Sequence, residues 1–124
     1  MSAPAQALNR ARVLVVEDEP LVAMLIESML EDAGCVVVAT APSVEAGLAV
    51  AAREDLDFAV LDMTLGQESS FAIADVLAER GVPFFFASGY GGGALPAQHA
   101  QRQVLGKPFS FADLEKTLAT LELS

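Results

Sequence analysis

The sequence has 124 residues, 53% of them hydrophobic and 19% charged, which is the length of one domain with enough apolar surface for a core without staples. Seven basic against seventeen acidic residues give a formal net charge of −10, which repels phosphate backbones and anionic lipid and argues against nucleic-acid or membrane-surface binding. No apolar run reaches the roughly 18 residues of a membrane span, the first eleven residues lack the apolar core of a secretory signal, and the lone Cys35 has no internal disulfide partner, so a cytoplasmic location is expected.

Residues 1–11 are small, polar and aperiodic and read as a flexible tail, leaving 12–124 as the folded domain. Val13-Leu14-Val15-Val16 is a β-branched run that ends abruptly in Glu17-Asp18-Glu19-Pro20, as a strand buried on both faces would. Pro20 can open a helix, along which Val22, Leu25, Ile26, Met29 and Ala33 recur at helical spacing, and Gly34 stops it. Cys35 to Thr40 reads as a second strand. Ser43 caps a second helix with a weaker stripe of Val44, Leu48, Val50 and Ala51.

Phe58 to Leu61 forms a third strand, again closed by an acid, Asp62. A helix follows Ser69-Ser70 with Phe71, Ile73, Ala74, Val76 and Leu77 near its buried side. Phe84 to Ala87 makes a fourth strand and Gln103 to Leu105 a short fifth. Ser110 with Asp113 has the spacing of a capping box, and Phe111, Leu114, Leu118 and Leu121 continue at helical spacing. Strand and helix alternate throughout, which predicts an α/β fold: an open, doubly wound, flavodoxin-like parallel sheet of five strands. Functional sites in such sheets lie outside the carboxyl ends of the strands.

Those ends carry Glu17-Asp18, Asp62, Ser88-Gly89 and Gly106-Lys107-Pro108. Any one acid after a strand is usually a cap or a solvated loop charge. Three acids, a hydroxyl and an ammonium on one edge form a functional constellation. Clustered carboxylates need a counter-charge, and a hard divalent cation with oxygen ligands, Mg²⁺, is the natural one. Lys107 adds a fixed positive charge that can pair with Asp62 and then with a phosphoryl oxygen. Asp62, held rigidly at the end of the central strand, is the best candidate nucleophile toward phosphorus. Ser88 can donate a hydrogen bond to the new phosphate and draw its loop inward.

With those residues in view, the chain from about Arg12 to Leu121 resembles the receiver domain of two-component response regulators. The resemblance is carried by Val15 to Pro20, Val60 to Leu65, Ala87-Ser88-Gly89 and Lys107-Pro108-Phe109. It implies that Asp62 is the phosphoacceptor, taking its phosphoryl group from a sensor histidine kinase or a histidine phosphotransferase. It further implies that Asp18, Asp62 and the backbone carbonyl of Thr64 bind Mg²⁺ directly, with Glu17 acting through water. Lys107 would contact the phosphoryl group, and the Lys107–Pro108 bond would be cis. The helix after Pro20 and the turn at Pro108 would form the kinase-docking surface; residues 89–93 with the last strand and helix would form the output face.

Two departures stand out. Val104 occupies the strand-five position where receivers commonly carry an aromatic switch. Residues 89–93 hold four glycines, which oppose helix, so the fourth helix is expected to be short or mobile. The segment Pro83 to Tyr90 together with Leu105 to Phe109 is similar to the stand-alone FATGUY group, with Ser88 in place of its threonine, and Tyr90 is a candidate second switch residue. His99 reads as a solvated side chain and Cys35 as a small core residue.

Only three residues follow Leu121, so the chain is expected to act as a single-domain regulator, a monomer or weak dimer, that binds an unknown downstream protein or passes on or drains phosphate. A receiver-like scaffold that is never phosphorylated is an alternative reading. An aspartyl-phosphate phosphohydrolase is another, weakened because Thr64 stands where such enzymes use a second acid.

Overall fold

The computed structural model describes residues 9–89 and 95–121. Its strands are β1 (Arg12–Val16), β2 (Val36–Ala41), β3 (Phe58–Asp62), the two-residue β4 (Thr64–Leu65) and β5 (Glu68–Ser69), β6 (Phe84–Ser88) and β7 (Val104–Gly106). Its α-helices are α1 (Pro20–Asp32), α2 (Val44–Arg53), α3 (Phe71–Glu79) and α4 (Phe111–Thr120). Five strands form one parallel sheet in the order β2-β1-β3-β6-β7, while β4 and β5 make a separate antiparallel hairpin. This is the flavodoxin-like arrangement expected from the alternation of elements.

Both sheet faces are covered, which explains the continuous apolar runs of β1, β3 and β6. Leu14, Val16, Ala59, Leu61, Phe84 and Phe86 pack with α2 and α3 on one face. Val13, Val15, Phe58, Val60 and Phe85 pack with Ile26 and Leu30 of α1 and Leu114 and Leu118 of α4 on the other. Residues alternate between these two cores along β1, β3 and β6, as a period of two requires.

Local signals end the helices where the sequence places them. Gly34 (φ +95°) follows α1, its N–H donating to Glu31 O while Cys35 N–H donates to Leu30 O. Gly81 (φ +73°) repeats the pattern after α3, with Val82 N–H donating to Leu77 O. Both are Schellman caps, and the left-handed residue is glycine because a Cβ is unfavourable there. Ser110 and Asp113 form the reciprocal capping box at the start of α4. The Lys107–Pro108 bond is cis.

Two expectations need revision. His99, read as a solvated side chain, is buried to 2% exposure in a short 3₁₀ turn, Ala97–His99, against Phe84 and Phe86. Polar neighbours in the sequence suggested solvent, but the apolar face of β6 supplies a cover that no local pattern announces. At the other end, Ala11 is buried and Arg10 N–H donates to Gly34 O, so residues read as tail take part in the fold. Between β6 and β7 the described residues hold only the 3₁₀ turn, in keeping with a short fourth helix. Tyr90 and most of the glycine run lie outside the described residues.

Gly47 sets how closely α2 approaches α3. A Cβ there would stand 2.4 Å from Cδ1 and 3.3 Å from Cγ1 of Ile73, which is fully buried. Replacing a helical glycine by alanine normally gains about 1 kcal/mol, but overpacking a closed core costs about 1–3 kcal/mol. Gly47→Ala is expected to lower stability by about 1 kcal/mol in urea unfolding, the net of those two opposed effects. A variant as stable as the parent would mean that Ile73 has room to move aside.

Candidate functional site

The topology reverses direction between β1 and β3, and the cleft outside that reversal is where a doubly wound sheet places its ligands. Register brings the acids together. Val16 lies opposite Leu61, so Glu17 stands level with Asp62. Asp62 lies opposite Ala87, Ser88 lies opposite Gly106, and Lys107 N–H donates to Ser88 O at 2.8 Å. Three strands thus deliver Asp62, Ser88 and Lys107 to one cleft of about 320 Å³, which Asp18, Thr64 and Gly66 help to line, while Glu17 lies buried behind it at the end of β1.

Lys107 is the centre of the charge arrangement. Its Nζ donates to Glu17 Oε1 at 2.8 Å and to Asp62 Oδ2 at 3.1 Å. Burial alone would lower its pKa, but the hydrogen bonds and charges of both carboxylates outweigh that and raise it. One carboxylate oxygen from each of Glu17, Asp18 and Asp62 lies within 4.8 Å of the others. Three acids face one ammonium, an excess of negative charge that a divalent cation with oxygen ligands would offset. The donor set therefore fits Mg²⁺.

Each carboxylate is also held by backbone. Glu19 N–H donates to Glu17 Oε2 at 3.1 Å, and Gly66 N–H donates to Asp18 Oδ2 at 2.9 Å. Thr64 N–H approaches Asp62 Oδ1 at 3.5 Å. The β4–β5 hairpin, whose one local sequence signal is the turn-forming Leu65-Gly66-Gln67, brings Gly66 to Asp18. The structure thus gathers Glu17, Asp18, Asp62, Thr64, Ser88 and Lys107, every predicted site residue except Tyr90, which lies outside the described residues.

Burial and, second, the neighbouring charge of Glu17 push the Asp62 carboxyl up to about 6, even though Lys107 pulls the other way. Between about pH 4 and pH 6 the folded protein therefore keeps a proton that the unfolded chain has released. This contribution favours the folded state most below that window and declines as pH rises through it. Two pKa units correspond to nearly 3 kcal/mol in full, but solvent reaches the cleft and screens most of it. Asp62→Asn is expected to stabilise the protein at pH 7.5 by about 1 kcal/mol, or about 4 °C in thermal melts, and to flatten stability between pH 4 and 6. A lower melting temperature for this variant would show that the Lys107 contact outweighs the repulsion.

Comparison with known proteins agrees with this geometry. The family model for the response regulator receiver domain matches residues 13–119. Among solved structures, that of SdrG from Sphingomonas melonis Fr1 is 39% identical over 91% of this chain and 95% of that one, with a TM-score of 0.80. The receiver domain of the PhyR response regulator from Erythrobacter litoralis is 25% identical, covering 90% of this chain and 89% of that one, with a TM-score of 0.78. The receiver domain of the sensor histidine kinase PA1611 from Pseudomonas aeruginosa PAO1, solved with a magnesium ion in its active-site cleft, shares the fold at 24% identity and a TM-score of 0.74, over 87% of this chain and 93% of that one. No curated protein sequence matches the chain. By its fold, its strand-end constellation and the extent of the family match, the chain belongs to the receiver domains of two-component response regulators.

Proposed function

We propose that this receiver accepts a phosphoryl group on Asp62 from the phosphohistidine of a sensor histidine kinase or histidine phosphotransferase, and signals in the cytoplasm through a partner or by relaying phosphate. The observation that carries this reading is the position of Lys107 Nζ between Glu17 and Asp62, beside the open carboxylate cluster. Asp18, Asp62 and the Thr64 carbonyl would hold Mg²⁺ directly and Glu17 through water. When bound, the ion supplies positive charge for the phosphoryl oxygens.

The transfer is a displacement at phosphorus. An Asp62 carboxylate oxygen forms the new P–O bond as the P–N bond to the donor imidazole breaks, and the imidazole nitrogen keeps that electron pair. Lys107 shifts its hydrogen bond from the carboxylate to a phosphoryl oxygen, so the ammonium is not left without a partner. Ser88 Oγ donates to another phosphoryl oxygen from the end of β6. At neutral pH Asp62 is mostly ionised despite its raised pKa, so the nucleophile is available.

The donor approaches over α1. Leu21, Met24 and Leu25 are exposed there, and a groove of about 270 Å³ runs between Val22, Leu25 and Met29 and the Pro108-Phe109 turn beside Lys107. An apolar patch next to the acceptor suits a helical protein partner. No helix among the described residues is long and apolar enough to cross a membrane.

Incubation with a small acyl phosphate and Mg²⁺ is expected to add one phosphoryl group in an intact mass. Asp62→Asn should add none, and Lys107→Ala should slow the gain by about a hundredfold. An unmodified wild-type mass with several donors would overturn the reading in favour of an unphosphorylated scaffold. Leu25→Arg is expected to slow transfer from a phosphorylated histidine-kinase domain by about tenfold while leaving the acyl phosphate rate unchanged. Equal losses with both donors would move the effect from docking to the site itself.

A further inference from the structure

His99 is the chain's only histidine, and the chemistry proposed above does not use it. Its ring is edge-on to Phe84 at 5.6 Å and to Phe86 at 6.1 Å between centroids. Nε2 lies 2.7 Å from Asp75 Oδ1 on α3. With Nε2 engaged by Asp75, the ring's second nitrogen, Nδ1, is left buried with no hydrogen-bond partner among the described residues. The ring is thus held in an apolar site at a cost that its ring contacts and one hydrogen bond must offset. Release is asymmetric: the Asp75 side chain is 54% exposed, so water can take over the carboxylate when the ring leaves.

The position of this contact matters more than its strength. Phe84, Phe86 and Ser88 point to the same face of β6, because side chains alternate along a strand. Phe86 also meets Phe71, the first residue of α3, edge-on at 5.7 Å. Just before it, Ser70 N–H donates to the carbonyl of Met63, the residue after Asp62. The His99–Asp75 contact therefore ties the β6–β7 connection to the helix that begins just beyond the acceptor. One end of that connection is fixed, since Phe86 N–H donates to Gln103 O. The other end leaves from Ser88. Between them, His99 and Gln98 both reach Asp75 Oδ1, at 2.7 and 3.4 Å. Opposite Phe86 on β7 stands Val104, too small and too symmetric to report a change by rotating.

We propose that the His99–Asp75 contact is a latch that holds the segment leading into β7, residues 95–103, against α3 at rest, and that movement of Ser88 toward a phosphoryl group on Asp62 opens it. The inference rests on the phosphoacceptor reading above. It gives the chain a reporter at His99 in place of the aromatic residue that strand five lacks.

A single histidine makes the test direct, because its ring resonances need no sequence assignment. Asp75→Ala, at a half-exposed position, is expected to shift those resonances and to speed amide exchange at Ala100 and Arg102 at least tenfold. Exchange at Val15 and Val60 should be unchanged, and Asp75→Asn, which retains an acceptor, should stay close to wild type. Unchanged exchange in Asp75→Ala would overturn the latch. Wild-type protein treated with an acyl phosphate and Mg²⁺, and shown by intact mass to carry one phosphoryl group, is expected to move its ring resonances toward those of Asp75→Ala with the same faster exchange. Phosphorylated protein whose ring resonances and exchange do not move would overturn the switch role while leaving the acceptor reading standing. Protein that gains no phosphoryl group would overturn the acceptor reading and this inference with it.

Discussion

An ammonium group wedged between two carboxylates is the interaction on which this molecule turns. Lys107 arrives from the last strand of the sheet and meets Glu17 and Asp62 from the ends of β1 and β3, with Asp18 close by. A sheet buried on both faces has no place for these charges except its edge, so the packing that drives folding also concentrates them. The concentration is incompletely neutralised: burial and Glu17 raise Asp62 despite the bonded lysine. The site thus favours added positive charge.

Neighbouring backbone keeps that arrangement from relaxing. Glu17 and Asp18 accept hydrogen bonds from the Glu19 and Gly66 amides, and Lys107 is fixed through its own N–H to Ser88 O. Long flexible side chains would otherwise spread apart and let solvent screen the repulsion. Holding them within 4.8 Å gives the cluster the spacing that a divalent cation with oxygen ligands would need. The first residues of α1 belong to the same construction, since Pro20 starts the helix immediately after the three acids and turns the chain away from the cleft.

Much of this was legible in the sequence because its causes are local. Alternating elements, acids closing apolar runs, Gly34 as a helix stop and the Ser110–Asp113 box each depend on residues within one or two turns of one another. What the sequence could not disclose depends on distant partners. The hairpin of β4 and β5 is too short for a periodic signal, yet it places Gly66 on Asp18, 48 positions earlier. Gly47 looks like a weakness in α2 until Ile73 is seen to need the space. His99 sits among polar residues, and only the face of β6 and an acid 24 positions away explain why it is buried.

These distant contacts also divide the labour between the two faces of the sheet. The groove beside Lys107 is formed by α1 and the Pro108-Phe109 turn, and it belongs to the core shared by α1 and α4. His99, Phe86 and Phe71 belong to the opposite side, with α2 and α3. Asp62 stands at the seam, at the end of a strand whose alternate residues feed both cores. Under the proposed phosphotransfer, a donor approaching over α1 would not need to touch the face that carries His99. Charge would enter on one side, and a movement of Ser88 would be passed along β6 to the other. Such a separation would let so small a domain take a group from one protein while presenting an altered face to another.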